Sequence, residues 1–140
     1  MTRALPKIDA NGFRYPGGPV YAPPCEEQID LARAWLRENC EPRKTINRDR
    51  SSYSFKHDAE RATGGYIANG AFLVAAQLEG YKLERVHRRS PNAYINISFA
   101  PARKRERDRR AEEREQTRAA CVLARAYVRS RRSQQSEAAR

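Results

Sequence analysis

Apolar side chains are scarce in this chain. Only 39% of its residues are hydrophobic, and the mean hydropathy is −0.92. Both figures are low for a uniformly packed globule of 140 residues, so the expected architecture is one core with polar extensions. No apolar run is long enough to span a bilayer. Met1–Pro6 lacks the apolar stretch of a signal peptide, which makes the cytoplasm the expected location and excludes a membrane partner. Cysteine is limited to Cys25, Cys40 and Cys121, an odd and widely spaced set that argues against a disulfide framework. There is no CxxC pair, and His57 and His87 are far apart, so no zinc site is expected. Gly64, Gly65 and Gly70 lack the spacing of a phosphate loop. No enzyme activity, cofactor or small-molecule substrate is indicated.

What the chain has in excess is positive charge. It carries 28 Lys+Arg against 17 Asp+Glu, a formal net charge of +11. Residues 1–40 are balanced, with five of each sign; residues 41–100 hold ten basic and six acidic; residues 101–140 hold thirteen basic and six acidic. A field that grows toward one end draws in polyanions, of which nucleic acid is the commonest.

Residues 1–24 form a Pro- and Gly-rich arm with no room for regular elements. Its aromatics Phe13, Tyr15 and Tyr21 point to an arm that lies down on the domain or on a partner. A first helix is predicted over 25–39, with Trp35 inside and Pro42 as its stop. Residues 43–51 read as a basic connection. A second helix follows over 52–63, capped by Ser51 or Ser52 and ended by Gly64 and Gly65. A third covers about 67–79, or starts at Gly70 with Asn69 as its cap. Two strands are predicted over Tyr81–Val86 and Ala93–Phe99, the second from strict period-two alternation. The expected core is Trp35, Phe55, Ile67, Phe72, Val74, Leu78, Ile95 and Ile97. Residues 102–132 contain neither Gly nor Pro and read as one long helix, polar at first and amphipathic later, with Cys121 on its packed face and 130–140 fraying.

The fold class is therefore α+β: a small helical domain of three helices plus a β-hairpin, in winged-helix-like order, with a long basic C-terminal helix. The expected divisions are an arm over 1–24, a core domain over 25–100 and a helical extension over 101–140. The third helix is a poor reader of base edges, since it offers little beyond Asn69 and Gln77 in long polar side chains.

Residues 43–99 carry several unusual runs in order: Arg43 to Asn47, Ser52 to Glu60, Gly65 to Phe72 and Asn92 to Ser98. This pattern resembles an uncharacterised family of small proteins from proteobacterial phages, prophages and plasmids. The resemblance implies an origin on a mobile genetic element and supplies no active site.

Two readings of function follow. In the first, the chain is a basic accessory protein of a phage or plasmid that binds the phosphate backbone of DNA or RNA. The candidate contacts are Arg43, Lys44, Arg48, Arg50, Lys82, Arg88, Arg89, Arg103, Lys104 and Arg105, with Tyr53, Tyr66 or Tyr94 stacking on bases if the strand is single. In the second, it is a protein-directed inhibitor of host machinery, anti-CRISPR-like, whose aromatic arm and amphipathic tail contact a host protein or nucleoprotein complex. Lys56, His57 and Glu60 share one helical face and read as a polar face with ion pairs, not as acid–base machinery.

Overall fold

The computed structural model describes residues 7–139, except for the side chain of Ala102. The first six residues of the expected arm, and Arg140, lie outside this range. Two compact units divide near residue 101. The first contains a two-residue hairpin pair, β1 (Ile8–Asp9) and β2 (Gly12–Phe13), then α1 (Glu26–Asn39), β3 (Cys40–Ser51), α2 (Ser52–Thr63), α3 (Asn69–Leu78), β4 (Leu83–Arg85) and β5 (Ala93–Phe99). The second is the helix α4 (Pro101–Ala138). The fold is α+β, with three helices and an antiparallel sheet ahead of one long C-terminal helix.

The sheet runs in the order β3-β5-β4 and is antiparallel throughout. β4 and β5 form the expected hairpin, with Leu83 opposite Ile95 and Arg85 opposite Ala93. β3 corrects the expectation of a connection over 43–51. It pairs with β5 from Cys40 opposite Phe99 to Ser51 opposite Tyr94, with register shifts on either side of Asn47. Its sequence hid it because it is an edge strand. Pro42, Arg43, Lys44, Arg48 and Asp49 face solvent, and charge, proline and bulges are the devices that keep a free edge from pairing with another chain.

The core is packed between the helices and one sheet face. Trp35, Phe55, Ile67, Phe72, Ile95 and Ile97 are buried as expected. Trp35 meets the rings of Phe72 and Phe99 at centroid distances of 6.0 and 5.4 Å, within the range of favourable aromatic pairs. Two expected core residues differ. Leu78 is 56% exposed and Val74 half-buried, while Leu73 is fully buried. α3 is apolar all round, so periodicity could not say which side faces in. Its exposed end is held instead by Glu79, whose carboxylate takes Arg33 and Arg37 of α1, each at 2.8 Å.

The arm is a structured part of the first unit, not an element-free linker. Phe13 is buried, and the Arg85 guanidinium lies 5.2 Å from its ring centroid. The arm's backbone crosses the start of α3 so closely that Gly70 is obligatory. A Cβ there would lie 1.7 Å from the Asp9 carbonyl oxygen, and the Gly70 N–H donates to Ala10 O at 3.0 Å. Gly12, at φ +130°, brings the hairpin against Pro91 in the same way. This packing also removes α3 from the role of an exposed recognition helix.

Helix ends match the sequence in part. Gly64 closes α2 in the left-handed conformation, with its N–H donating to Glu60 O. Ser51 occupies the N-cap of α2 without a side-chain bond, and Asn69 is the first residue of α3 while Ala68 takes the cap position. The Ser52 and Asn69 side chains bond to other segments of the first unit. In the second unit, α4 continues through 130–138, where fraying was expected, and Cys121 is exposed.

Replacing Phe72 by Ala should cost about 3–5 kcal/mol, the usual penalty for emptying a fully buried phenylalanine site. Urea unfolding followed through Trp35, which touches that ring, measures it. Gly70→Ala should release the arm, seen as faster proteolytic cleavage among residues 14–24 than in the parent.

Candidate nucleic-acid interface

The basic residues singled out in the first unit have different fates. Arg50 is a structural side chain. Its guanidinium sits 4.4 Å from the Phe55 ring centroid, donates to Ser54 Oγ at 3.0 Å and pairs with Asp58. Its guanidinium is thus already engaged within the first unit. Arg48 makes a fork with both carboxylate oxygens of Glu84, at 2.7 and 2.9 Å. Arg43 folds back onto its own strand, donating to Thr45 O at 3.0 Å. Lys44, Lys82, Arg88 and Arg89 are exposed, the two arginines in the turn between β4 and β5.

In α4 the charge is arranged differently. Arg103 and Arg105 are exposed, whereas Lys104 is paired with Asp108 at 3.2 Å. Glu106 takes Arg109 and Arg110, and Glu113 takes Arg109 again. Between residues 116 and 136 there are five arginines and no acidic residue. At 3.6 residues per turn, Arg103, Arg107, Arg110, Arg114, Arg118, Arg125, Arg129 and Arg132 fall within about 100° of arc. All six carboxylates of 101–140 lie outside that arc by the same projection. The face runs along roughly 44 Å of helix at 1.5 Å per residue. Only its first member was picked out from the sequence. The signal that finds the rest is the recurrence of arginine at spacings of three, four and seven, the helical period applied to charge instead of to apolar residues. Beside this face, Ala120, Leu123, Ala124 and Tyr127 form an exposed apolar stripe interrupted by Arg131.

The first unit also carries a cleft of about 500 Å³, lined by Ala10, Asn11, Tyr53, Lys56, His57, Tyr66, Asn69, Pro91 and Asn92. Its floor is a knot of polar side chains. The Asn69 amide donates to Asn11 O at 2.9 Å, to Pro91 O at 3.2 Å and to Asn92 Oδ1 at 3.0 Å. Its own Oδ1 accepts from Ser52 Oγ at 2.9 Å, and that hydroxyl accepts the Ala93 N–H at 3.1 Å.

The wall comes from α2. The Lys56 side chain is 6% exposed, and its ammonium lies 5.0 Å from the Tyr53 ring centroid and 5.4 Å from that of Tyr66. Glu60 joins the wall together. It takes the Lys56 ammonium at 3.1 Å, His57 Nδ1 at 2.7 Å and the Ile67 N–H at 3.1 Å. Burial alone would raise its carboxyl pKa. The hydrogen bonds from Ile67, Lys56 and His57 outweigh that and hold it below the ordinary value of 4.5. His57 is thus turned toward Glu60. Among the described residues, no group of three or more His, Cys, Asp or Glu could hold a metal ion, and no helix is long and apolar enough to cross a membrane.

The chain matches no protein-family model, no curated protein and no solved structure.

A depressed carboxyl pKa contributes stability that is complete above the unfolded-state value and is lost as pH falls through the folded-state value. Glu60→Gln should therefore destabilise the protein at pH 7, by about 1–3 kcal/mol for the charged hydrogen bonds it weakens. The gap between variant and parent should narrow as pH is lowered from 7 toward 3, because the parent carboxylate is progressively protonated as pH approaches its lowered pKa. Urea unfolding at the two pH values checks the sign.

Proposed function

We infer that this protein binds the phosphate backbone of nucleic acid, and that α4 is its principal contact. The observation that carries this reading is the acid-free arginine face of α4, most of all Arg114, Arg118, Arg125, Arg129 and Arg132. Arginine forks suit phosphate oxygens, and a one-signed face steers a polyanion without reading sequence. Lys44, Lys82, Arg88 and Arg89 add exposed charge in the first unit, whereas Arg48 and Arg50 are committed to Glu84 and Asp58. The long helix has no glycine, and its side chains are spaced for continuous backbone contact, not for insertion of a short reading head. An accessory protein of a phage or plasmid, the origin suggested by residues 43–99, fits such sequence-independent binding.

The apolar stripe of Ala120, Leu123, Ala124 and Tyr127 favours a second reading, a protein-directed inhibitor that engages a host nucleoprotein complex through α4. Such a stripe does nothing for phosphate contact and is what a helix presents to a protein groove.

Replacing Arg118, Arg125, Arg129 and Arg132 together by Gln should weaken binding to duplex DNA. It should also flatten the slope of log affinity against log salt by about 0.9 for each phosphate left unneutralised, so by roughly 3–4. Arg48→Gln should leave the slope unchanged, because that guanidinium is already paired. A slope that survives the fourfold replacement, while the variant no longer captures a host protein complex from nuclease-treated lysate, supports the second reading.

A further inference from the structure

The cleft beside Lys56 does not end at Tyr66. A second depression of about 370 Å³ lies on the other side, lined by Tyr21, Ala22, Pro23, Cys25, Gln28 and Ala68. The two share Ala10, Asn11 and Tyr66, so they adjoin along the arm as one groove. Three tyrosines stand along it. Tyr53 is 51% exposed, Tyr66 69% and Tyr21 46%, large values for aromatic rings that a folded domain could have buried. We propose that this groove takes a short single-stranded segment of nucleic acid, with bases stacked on Tyr53, Tyr66 and Tyr21.

Aromatic platforms hold single strands without sequence preference, since every base has a face to stack. Here the platforms are set by the protein before any ligand arrives. The Lys56 ammonium lies over both the Tyr53 and Tyr66 rings, and Glu60 fixes that ammonium from behind. The His57 ring meets Tyr53 edge-on at 4.6 Å. Rings anchored in this way lose little freedom when a base stacks on them.

The lining is close to neutral: the Lys56 ammonium is paired with Glu60, and no lining residue is acidic, so stacking on the rings carries the binding. The nearest carboxylates are engaged: Glu60 by Lys56, His57 and Ile67, and Asp9 by the N–H groups of Asn11 and Tyr21 and by Arg14. Past Cys25 come Glu26 and Glu27 at the start of α1, a pair of charges that limits the track to a short segment. The side-chain amides of Asn11 and Asn92 border the groove and can bond base edges or sugar hydroxyls.

A proline-rich peptide is the competing occupant of an aromatic groove. The lining offers no carboxylate to a basic peptide.

This inference rests on the nucleic-acid reading and adds the strand type. Its test uses the full chain and a fluorescein-labelled oligo-dT of about ten nucleotides, followed by anisotropy. Tyr66→Ala and Tyr53→Ala should each weaken oligo-dT binding by about 5- to 150-fold, the range for removing one stacked base. Affinity for duplex DNA and the salt slope should stay as in the parent. Tyr66→Phe keeps the stacking face and should bind oligo-dT as the parent does. Tyr53 and Tyr66 are exposed, and circular dichroism of the variants should match the parent.

Parent-like oligo-dT binding by both alanine variants overturns the proposal. So does a groove whose NMR signals move with a ten-residue polyproline peptide and not with oligo-dT. Failure of the α4 reading looks different. In that case the fourfold arginine variant keeps the duplex salt slope, while tyrosine-dependent binding of oligo-dT persists.

Discussion

One buried amide ties four segments of the first unit to each other. The side chain of Asn69 reaches the arm through Asn11 O, the loop before β5 through Pro91 O and Asn92 Oδ1, and the first residue of α2 through Ser52 Oγ. These four segments are distant in sequence. A buried amide that meets all its partners fixes their relative placement, because any other arrangement leaves polar atoms unpaired at a cost of about 1–3 kcal/mol each. The placement has a direct consequence for the groove. Asn11, Asn92 and the start of α2 are its boundaries, so the same knot that closes the core also shapes the surface.

The basic residues divide by what balances them. In the first unit Arg33 and Arg37 of α1 and Arg48 and Arg50 of β3 face carboxylates brought near by folding: Glu79 for Arg33 and Arg37, Glu84 for Arg48, Asp58 for Arg50. These pairs position elements and leave little field outside. In α4 five of the six carboxylates precede residue 116, where Glu106 takes Arg110, and none lies between residues 116 and 136. Net charge alone therefore overstates the first unit and understates the distal part of the helix. A count of charges along a chain becomes an argument about partners only once the geometry says which of them are already paired.

Much of the fold was legible, and the failures have physical reasons. α1 and α2 were readable from periodicity and end signals, because each has one buried side and one wet side; β5 was readable from its alternation, although Asn96 is buried and Phe99 exposed. β3 was not, since its charges and Pro42 serve to protect an edge and imitate a loop. α3 was placed but not oriented, because an all-apolar helix carries no directional signal, which is why Leu78 was expected inside and Leu73 was not. The arm hairpin rests on close approaches at Gly12 and Gly70 that only the folded chain reveals. Of the candidate site, the link between Lys56, His57 and Glu60 was visible as helical spacing. Its junction with Tyr66, Asn69 and the arm was not, because it brings together segments separated by turns. Arg50 looked like its neighbours in sequence and became a structural residue only through Phe55 and Asp58.

The environment of Trp35 has a practical consequence. It is the sole tryptophan of the chain, 3% exposed and in contact with Phe72 and Phe99. An indole so shielded emits toward the blue, and its emission moves to the red only when water enters the core. Because α4 contains no tryptophan, this intrinsic fluorophore reports on the first unit alone. The spectrum thus reports on the core of the first unit with no label attached.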